Sequence, residues 1–371
     1  MRRRTLAAAA LLLGLTLVAG VALGAGDGGK KRRIVVFRSP DAVSQDAALG
    51  QHGLRPLKKL SLIGGAVVEA TDAEVRALLR DNRVARVEDD GVAYIVAETL
   101  PWGVDRIEAE QVWPAYGNTG QGVKVAILDT GIDLKHPDLQ GNIKGGYNAV
   151  NPRRAPNDKN GHGTHVAGTV AALLNGQGVV GAAPGASLYA VKVLGDSGWG
   201  WISDIIEGID WSIQNGMQVL NMSFGSSSDS QALHDAIARA YQAGLVMVAA
   251  AGNSGCTGDT VNYPARYPET IAVAATDQTD TVTSWSSCGP EVDLSAPGDQ
   301  ILSTYKKGGY ATLSGTSMAA PHVTATAALV IAQYGTLSPD QIRSHLVSTA
   351  DILPQALYPR VNALSAVATE P

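Results

Sequence analysis

"GVKVAILD", residues 122–129, decides the fold. Apart from Lys124 its residues are apolar or glycine up to a terminal acid, without the polar alternation of a half-exposed strand. It therefore reads as a strand buried on both faces. Four further runs repeat the pattern: "ASLYAVKVL" (186–194), "MQVLNMS" (217–223), "GLVMVAAAGN" (244–253) and "TIAVAAT" (270–276). Helical stretches alternate with them, which predicts an α/β protein with a doubly wound, mostly parallel sheet and helices on both faces. Asp129 closes its strand and so sits at the carboxyl edge of the sheet, where ligand crevices form. As a lone residue it reads more readily as a turn-forming aspartate.

Outward from this body, the chain begins "MRRRTLAAAALLLGLTLVAGVALGAG". Three arginines, an apolar run from Leu6 to Leu23 and small residues after it indicate a secretory signal peptide over residues 1–25. A run of this length lies at the lower edge of what spans a bilayer, so an uncleaved anchor is the alternative. "GDGGKKRR" (26–33) reads as a linker. Residues 34–96 change to strand, helix and strand signals, with Thr71 and Glu74 set as a capping box ahead of an amphipathic helix. That order suits a small α+β, ferredoxin-like unit. About 60 residues is marginal for an independent core.

Residues 1–96 carry 15 Lys+Arg against 10 Asp+Glu, and residues 97–371 carry 14 against 24. The body is acidic and has no basic stripe, which excludes nucleic acid as the expected partner. Near-zero mean hydropathy excludes a multi-span membrane protein. Cys256 and Cys288 are too few for a disulfide scaffold or a four-cysteine zinc site. Export permits them to pair, and two buried thiols are the alternative.

"NGHGTHVAGTVAALL" (160–174) holds His162 and His165, and the glycines around His162 suit a residue presented at a helix start. No glutamate lies between the two histidines in the H-E-x-x-H manner, which weakens a zinc hydrolase. "GTSMAAPH" (315–322) places Ser317 just ahead of an apolar helical run, where it is either an N-cap or a nucleophile. The chain order Asp129, His162, Ser317 is one of three known orders of an Asp-His-Ser triad.

With their neighbours, these blocks resemble the subtilisin-like serine protease family. "ILDTGID", "NGHGTHVAGT" and "GTSMAAPHV" match its three active-site blocks, and "AAGNSG" matches its oxyanion block. The resemblance covers residues 97 to about 367 and implies a subtilisin-like catalytic domain over 97–371. It makes Ser317 the nucleophile, His162 the general base and then acid, and Asp129 the orienting carboxylate. Asn253 becomes the oxyanion donor beside the Ser317 N–H, and His165 and His322 become structural. Residues 34–96 resemble the family's inhibitory propeptide, with "GVAYIV" in the active site and self-cleavage near Val96 and Ala97.

The resemblance also implies that Gly198, Trp199 and Gly200 and Ser223, Phe224 and Gly225 flank an extended peptide substrate by β-augmentation. Ala250, Ala251 and Gly252 would wall the pocket for the residue before the scissile bond. A structural calcium is implied at Glu98, Asp138 and Asn175 with the carbonyls of Leu173, Gln177 and Val179, a hard oxygen set. A solvated polar loop is the alternative there. The expected protein is a secreted, self-processing serine endopeptidase, monomeric, without stable membrane association once the signal is removed. Its partners are polypeptide substrates and its own propeptide. The rivals are a silent peptide-binding module and a metal hydrolase built on His162 and His165.

Overall fold

The computed structural model describes residues 29–91, 98–353 and 357–371. The leader (1–25), the start of the linker, and the expected cleavage point near Val96 and Ala97 with most of "GVAYIV" lie outside the described residues. The chain divides into two compact units, Met1–Ile95 and Val96–Pro371, and each is described by itself.

In the first unit, β1 (Lys31–Phe37), α1 (Ala42–Gln51), β2 (Lys58–Leu60), β3 (Gly65–Ala70), α2 (Asp72–Leu78) and β4 (Val84–Asp89) follow in order. The strands form one antiparallel sheet in the order β2-β3-β1-β4. Val35, Phe37, Leu49, Val68 and Leu78 fill its core. Both helices start where the side chains dictate. Asp41 accepts from Ser44 N at 2.9 Å, while Thr71 and Glu74 close the reciprocal capping box, with Thr71 N donating to Glu74 Oε2 at 2.7 Å.

The second unit opens with α3 (Trp102–Arg106) and α4 (Ala109–Tyr116). There follow β5 (Lys124–Asp129), β6 (Ile143–Asn148), α5 (His162–Ala171), β7 (Ser187–Lys192), α6 (Ile202–Gln214), β8 (Val219–Met222), α7 (Gln231–Gln242), β9 (Val246–Ala250) and β10 (Ile271–Thr276). The unit ends with β11 (Val292–Pro297), the hairpin β12 (Ile301–Tyr305) and β13 (Gly309–Leu313), then α8 (Thr316–Tyr334), α9 (Pro339–Ser348) and α10 (Ala363–Ala368). A seven-stranded sheet runs β11-β10-β9-β8-β5-β7-β6, every pairing parallel.

The five expected apolar runs are its five central strands. Alternate residues of β5 feed opposite layers: Val125 and Ile127 pack with α5 and α8, Ala126 and Leu128 with α6 and α7. The edges β6 and β11 escaped the sequence reading. "IKGGYN" carries two glycines and "VDLSAP" ends in a proline, both weak strand signals on composition. The helix α8 is buried along most of its length, as a helix apolar on every side must be. Its cap is Gly315, so Ser317 is not the N-cap but lies one residue inside the helix. Cys256 and Cys288 form a disulfide. Among the described residues no helix is long and apolar enough to cross a membrane.

Candidate active site

Strand β5 ends at Asp129, completely buried, and α5 begins at His162. The Asp129 carboxylate reaches His162 Nδ1 with both oxygens, at 2.8 and 2.9 Å. This close approach requires glycine at 163: a Cβ there would meet Gly131 O at 2.2 Å and Asp129 Cβ at 3.0 Å. Burial by itself pushes the imidazole pKa down, but the Asp129 charge and hydrogen bond outweigh it, and His162 is held above the ordinary histidine value. Nε2 remains for proton transfer, with the tautomer set by the bond at Nδ1.

The start of α5 is held by a residue the sequence reading passed over. Asp158 accepts from Asn160 N, Gly161 N, Thr164 N and Thr164 Oγ1, and its Oδ1 also takes the Thr130 hydroxyl at 3.0 Å. Thr130 Oγ1 in turn receives Gly163 N. An acid four residues before a helix, followed by Asn-Gly, is a turn-and-cap signal that points to this role. Lys192, beside Asp129 in the parallel register, is buried and donates to Thr130 O at 2.6 Å.

Ser317 lies in the first turn of α8, which packs in the same layer as α5. Its Oγ donates to Ser223 O at 3.0 Å, and among the described residues no hydrogen bond joins it to His162. Catalytic hydrogen bonds of this kind commonly tighten only with substrate present. Asn253 follows β9 by three residues. Its Oδ1 accepts from Thr316 N at 3.0 Å and from Thr316 Oγ1 at 3.1 Å. The amide is thereby oriented with Nδ2 as the outward donor next to Ser317.

The expected substrate segments gather at the carboxyl ends of neighbouring strands. Gly198, Trp199 and Gly200 follow β7 in a turn closed by Gly195 N to Trp199 O at 2.8 Å, and Trp199 stands 60% exposed, edge-on to Trp201. Ser223, Phe224 and Gly225 follow β8. Ala250, Ala251 and Gly252 close β9, with Gly252 N on Thr316 Oγ1 at 3.1 Å and Gly252 O accepting from Ser287 N at 2.8 Å. The disulfide ties this turn down, since Cys256 lies three residues beyond Asn253 and Cys288 adjoins Ser287. His165 and His322 sit behind the site, fully buried. His165 Nε2 bonds the Ile301 and Ala311 carbonyls, and His322 Nδ1 bonds Met318 O. His165 therefore does not join His162 in a ligand pair.

The expected calcium residues also converge. Glu98 Oε1 accepts from Asn175 N and Gly176 N at 2.8 and 3.0 Å, and Asp138 accepts from Asn175 Nδ2 and Val179 N, each at 3.0 Å. Leu173 N donates to the Asp138 carbonyl, and Gln177 N to Asn175 Oδ1. Asp138 is 1% exposed, and burial raises its pKa. Among the described residues no cationic side chain pairs with it, and no cluster of three His, Cys, Asp or Glu side chains exists. The expected ligands, two carboxylates with neutral oxygens, are the chemistry of a hard cation.

Residues 120–366 match the model of the subtilase family. Subtilisin E of Bacillus subtilis (strain 168) is 42% identical over 362 residues, covering 94% of each chain. Subtilisin DY of Bacillus licheniformis is 50% identical over 264 residues, 71% of this chain and 95% of its own. M-protease of Shouchella clausii (strain KSM-K16) is 42% identical over 363 residues, 94% of this chain and 93% of its own. A carboxylate–imidazole pair at one strand end, a serine in the adjoining helix start and an anchored asparagine beside it thus occur in a chain that aligns with subtilisins along nearly its whole length: it belongs to the subtilase family and is a serine endopeptidase.

Proposed function

We propose that Ser317 is the nucleophile of a secreted, self-processing endopeptidase, with His162 as its base and Asp129 as the orienting acid. The observation that carries the proposal is the bond of both Asp129 oxygens to His162 Nδ1, which leaves Nε2 directed to the reaction. Ser317 Oγ attacks the scissile carbonyl carbon while its proton passes to His162 Nε2. The carbonyl π electrons move onto oxygen, and the Asn253 Nδ2–H and the Ser317 backbone N–H donate hydrogen bonds to the resulting oxyanion. Collapse breaks the C–N bond, and the imidazolium returns its proton to the departing amine. Water then attacks the acyl-enzyme through the same base and releases the acid product.

In this proposal Gly198 to Gly200 and Ser223 to Gly225 pair with the extended substrate backbone, and Ala250 to Gly252 wall the pocket before the scissile bond. Residues 1–25 are the signal, 26–33 a linker, 34–96 the propeptide and 97–371 the mature, monomeric enzyme, which is exported and not membrane-bound. Calcium would be held by Glu98, Asp138 and Asn175 with the carbonyls of Leu173, Gln177 and Val179, where it would neutralise a buried acid and stiffen the loop after α5. The supports are the burial of Asp138 and the convergence of these residues.

Intact mass of the wild type beside Ser317→Ala, each then treated with a fluorophosphonate, tests the proposal. The expected result is a wild type shortened to a start near Ala97 that takes one label on Ser317, and a variant that stays long and unlabelled. If both stay full length and unlabelled in calcium buffer, the silent binding module replaces the proposal.

A further inference from the structure

Pro321 stands four residues after Ser317 in α8 and has no N–H, so the Ser317 carbonyl lacks its helical partner. The Ser223 hydroxyl takes that place, donating to Ser317 O at 2.8 Å. Ser223 Oγ is itself held from below, receiving Asn221 Nδ2 at 2.8 Å, while Asn221 Oδ1 receives the Thr324 hydroxyl at 2.9 Å. Thr324 lies seven residues after Ser317, two turns along the same face of α8. Asn221 and Thr324 are completely buried and Ser223 is 2% exposed.

The three links share one direction of donation, so each group's proton is committed by the next. Thr324 holds the Asn221 amide with oxygen toward α8 and nitrogen toward Ser223, and that nitrogen turns the Ser223 proton onto Ser317 O. Asn221 belongs to the centre of the sheet, its strand paired on both sides with β5 and β9. Buried polar groups in an otherwise apolar helix–sheet interface are costly to place and specify one geometry when every member is satisfied.

Resting on the assignment of Ser317 as nucleophile, we propose that Asn221 and Thr324 are positioning residues for catalysis. They fix the Ser317 backbone relative to the sheet through Ser223. Because that backbone carries both the Oγ and the N–H aimed at the oxyanion, slack in the ladder loosens both. Neither residue touches substrate.

Thr324→Val keeps the volume and removes the hydroxyl. Active-site-titrated enzyme should show kcat, and the rate constant for fluorophosphonate labelling of Ser317, lowered about 10- to 100-fold with little change in KM, the cost of a small misplacement. Thr324→Ser should restore both. Thr326→Val is the control: Thr326 is equally buried on the same helix, but its hydroxyl bonds only the His322 carbonyl, and its labelling rate should remain that of the wild type. Ser223→Ala should slow labelling, and adding Thr324→Val to it should cost little more, since the two act along one path. Where Thr324→Val fails to mature, Thr324→Ser against Thr324→Ala isolates the same hydroxyl.

Wild-type labelling rates in Thr324→Val or Thr324→Ala, equal losses in Thr324→Val and Thr326→Val, or additive losses with Ser223→Ala would overturn the ladder. A wild type that takes no label on Ser317 would instead overturn the nucleophile assignment.

Discussion

At the scale of single residues, the site depends on small groups placed where larger ones would clash. Gly163→Ala should abolish activity while its protein still accumulates as precursor, because the added methyl collides with the Gly131 carbonyl and crowds the Asp129 side chain; cleavage of a chromogenic peptide and intact mass report both. Asn253→Ala should lower kcat about 10²- to 10³-fold with KM little changed, the range established for a subtilisin oxyanion donor. The pH dependence follows from His162. Its pKa is raised by the Asp129 charge and hydrogen bond, so the neutral base forms at higher pH than for an ordinary histidine. The acid limb of kcat/KM should therefore rise through one group lying above about 6.5, and a rate unchanged between pH 5 and 8 would contradict the assignment.

At the scale of elements, the turn after β9 and the interface of α5, α8 and the β12–β13 hairpin set the stability of the site. The Cys256–Cys288 bridge closes a loop of sequence separation 32, for which chain entropy predicts about 3.7 kcal/mol. A Cys256→Ser, Cys288→Ser double variant should melt lower by that equivalent and lose activity before it unfolds, as the Asn253 turn loosens. His165 and His322 are buried in neutral form, with pKa values pushed down by burial to about 4. Unfolding lets them bind protons nearer 6.5, so their contribution is complete above that value and fades as pH falls toward 4. Each contributes roughly 3 kcal/mol that acid removes. Denaturant midpoints should fall across that window, and the fall should shrink in a His322→Gln variant.

At the scale of the whole molecule, the parallel sheet brings together pieces far apart in the chain. Asp129 with His162, and Asn253 with the Thr316–Ser317 helix start, are drawn from distant parts of the chain because β5, β8 and β9 are adjacent and α5 and α8 cover one face. Against the loop after α5, Asp138 is buried with no cationic side chain paired to it among the described residues. A calcium chelator should lower heat resistance while leaving initial rates at room temperature unchanged, and readded calcium should restore it. Immediate loss of activity rescued by zinc would instead favour the metal hydrolase. The acidic body and basic N-terminal segment segregate charge along the chain.

Local physics is enough to read much of this protein from its sequence. Buried strands are apolar runs and Thr71 with Glu74 marks a helix start, while Asp129, His162 and Ser317 lie at a strand end and at helix starts and take their catalytic roles from the resemblance of their flanking blocks to the subtilisin-like family. What the chain by itself leaves open is whatever depends on partners distant in sequence. The edge strands β6 and β11 have little strand character of their own and exist because a neighbour supplies hydrogen bonds. The pairing of Cys256 with Cys288 required their turns to meet. Lys192, Asn221 and Thr324 carry no motif of their own, since a buried polar side chain acquires its role only from the group that folding places within hydrogen-bonding distance of it.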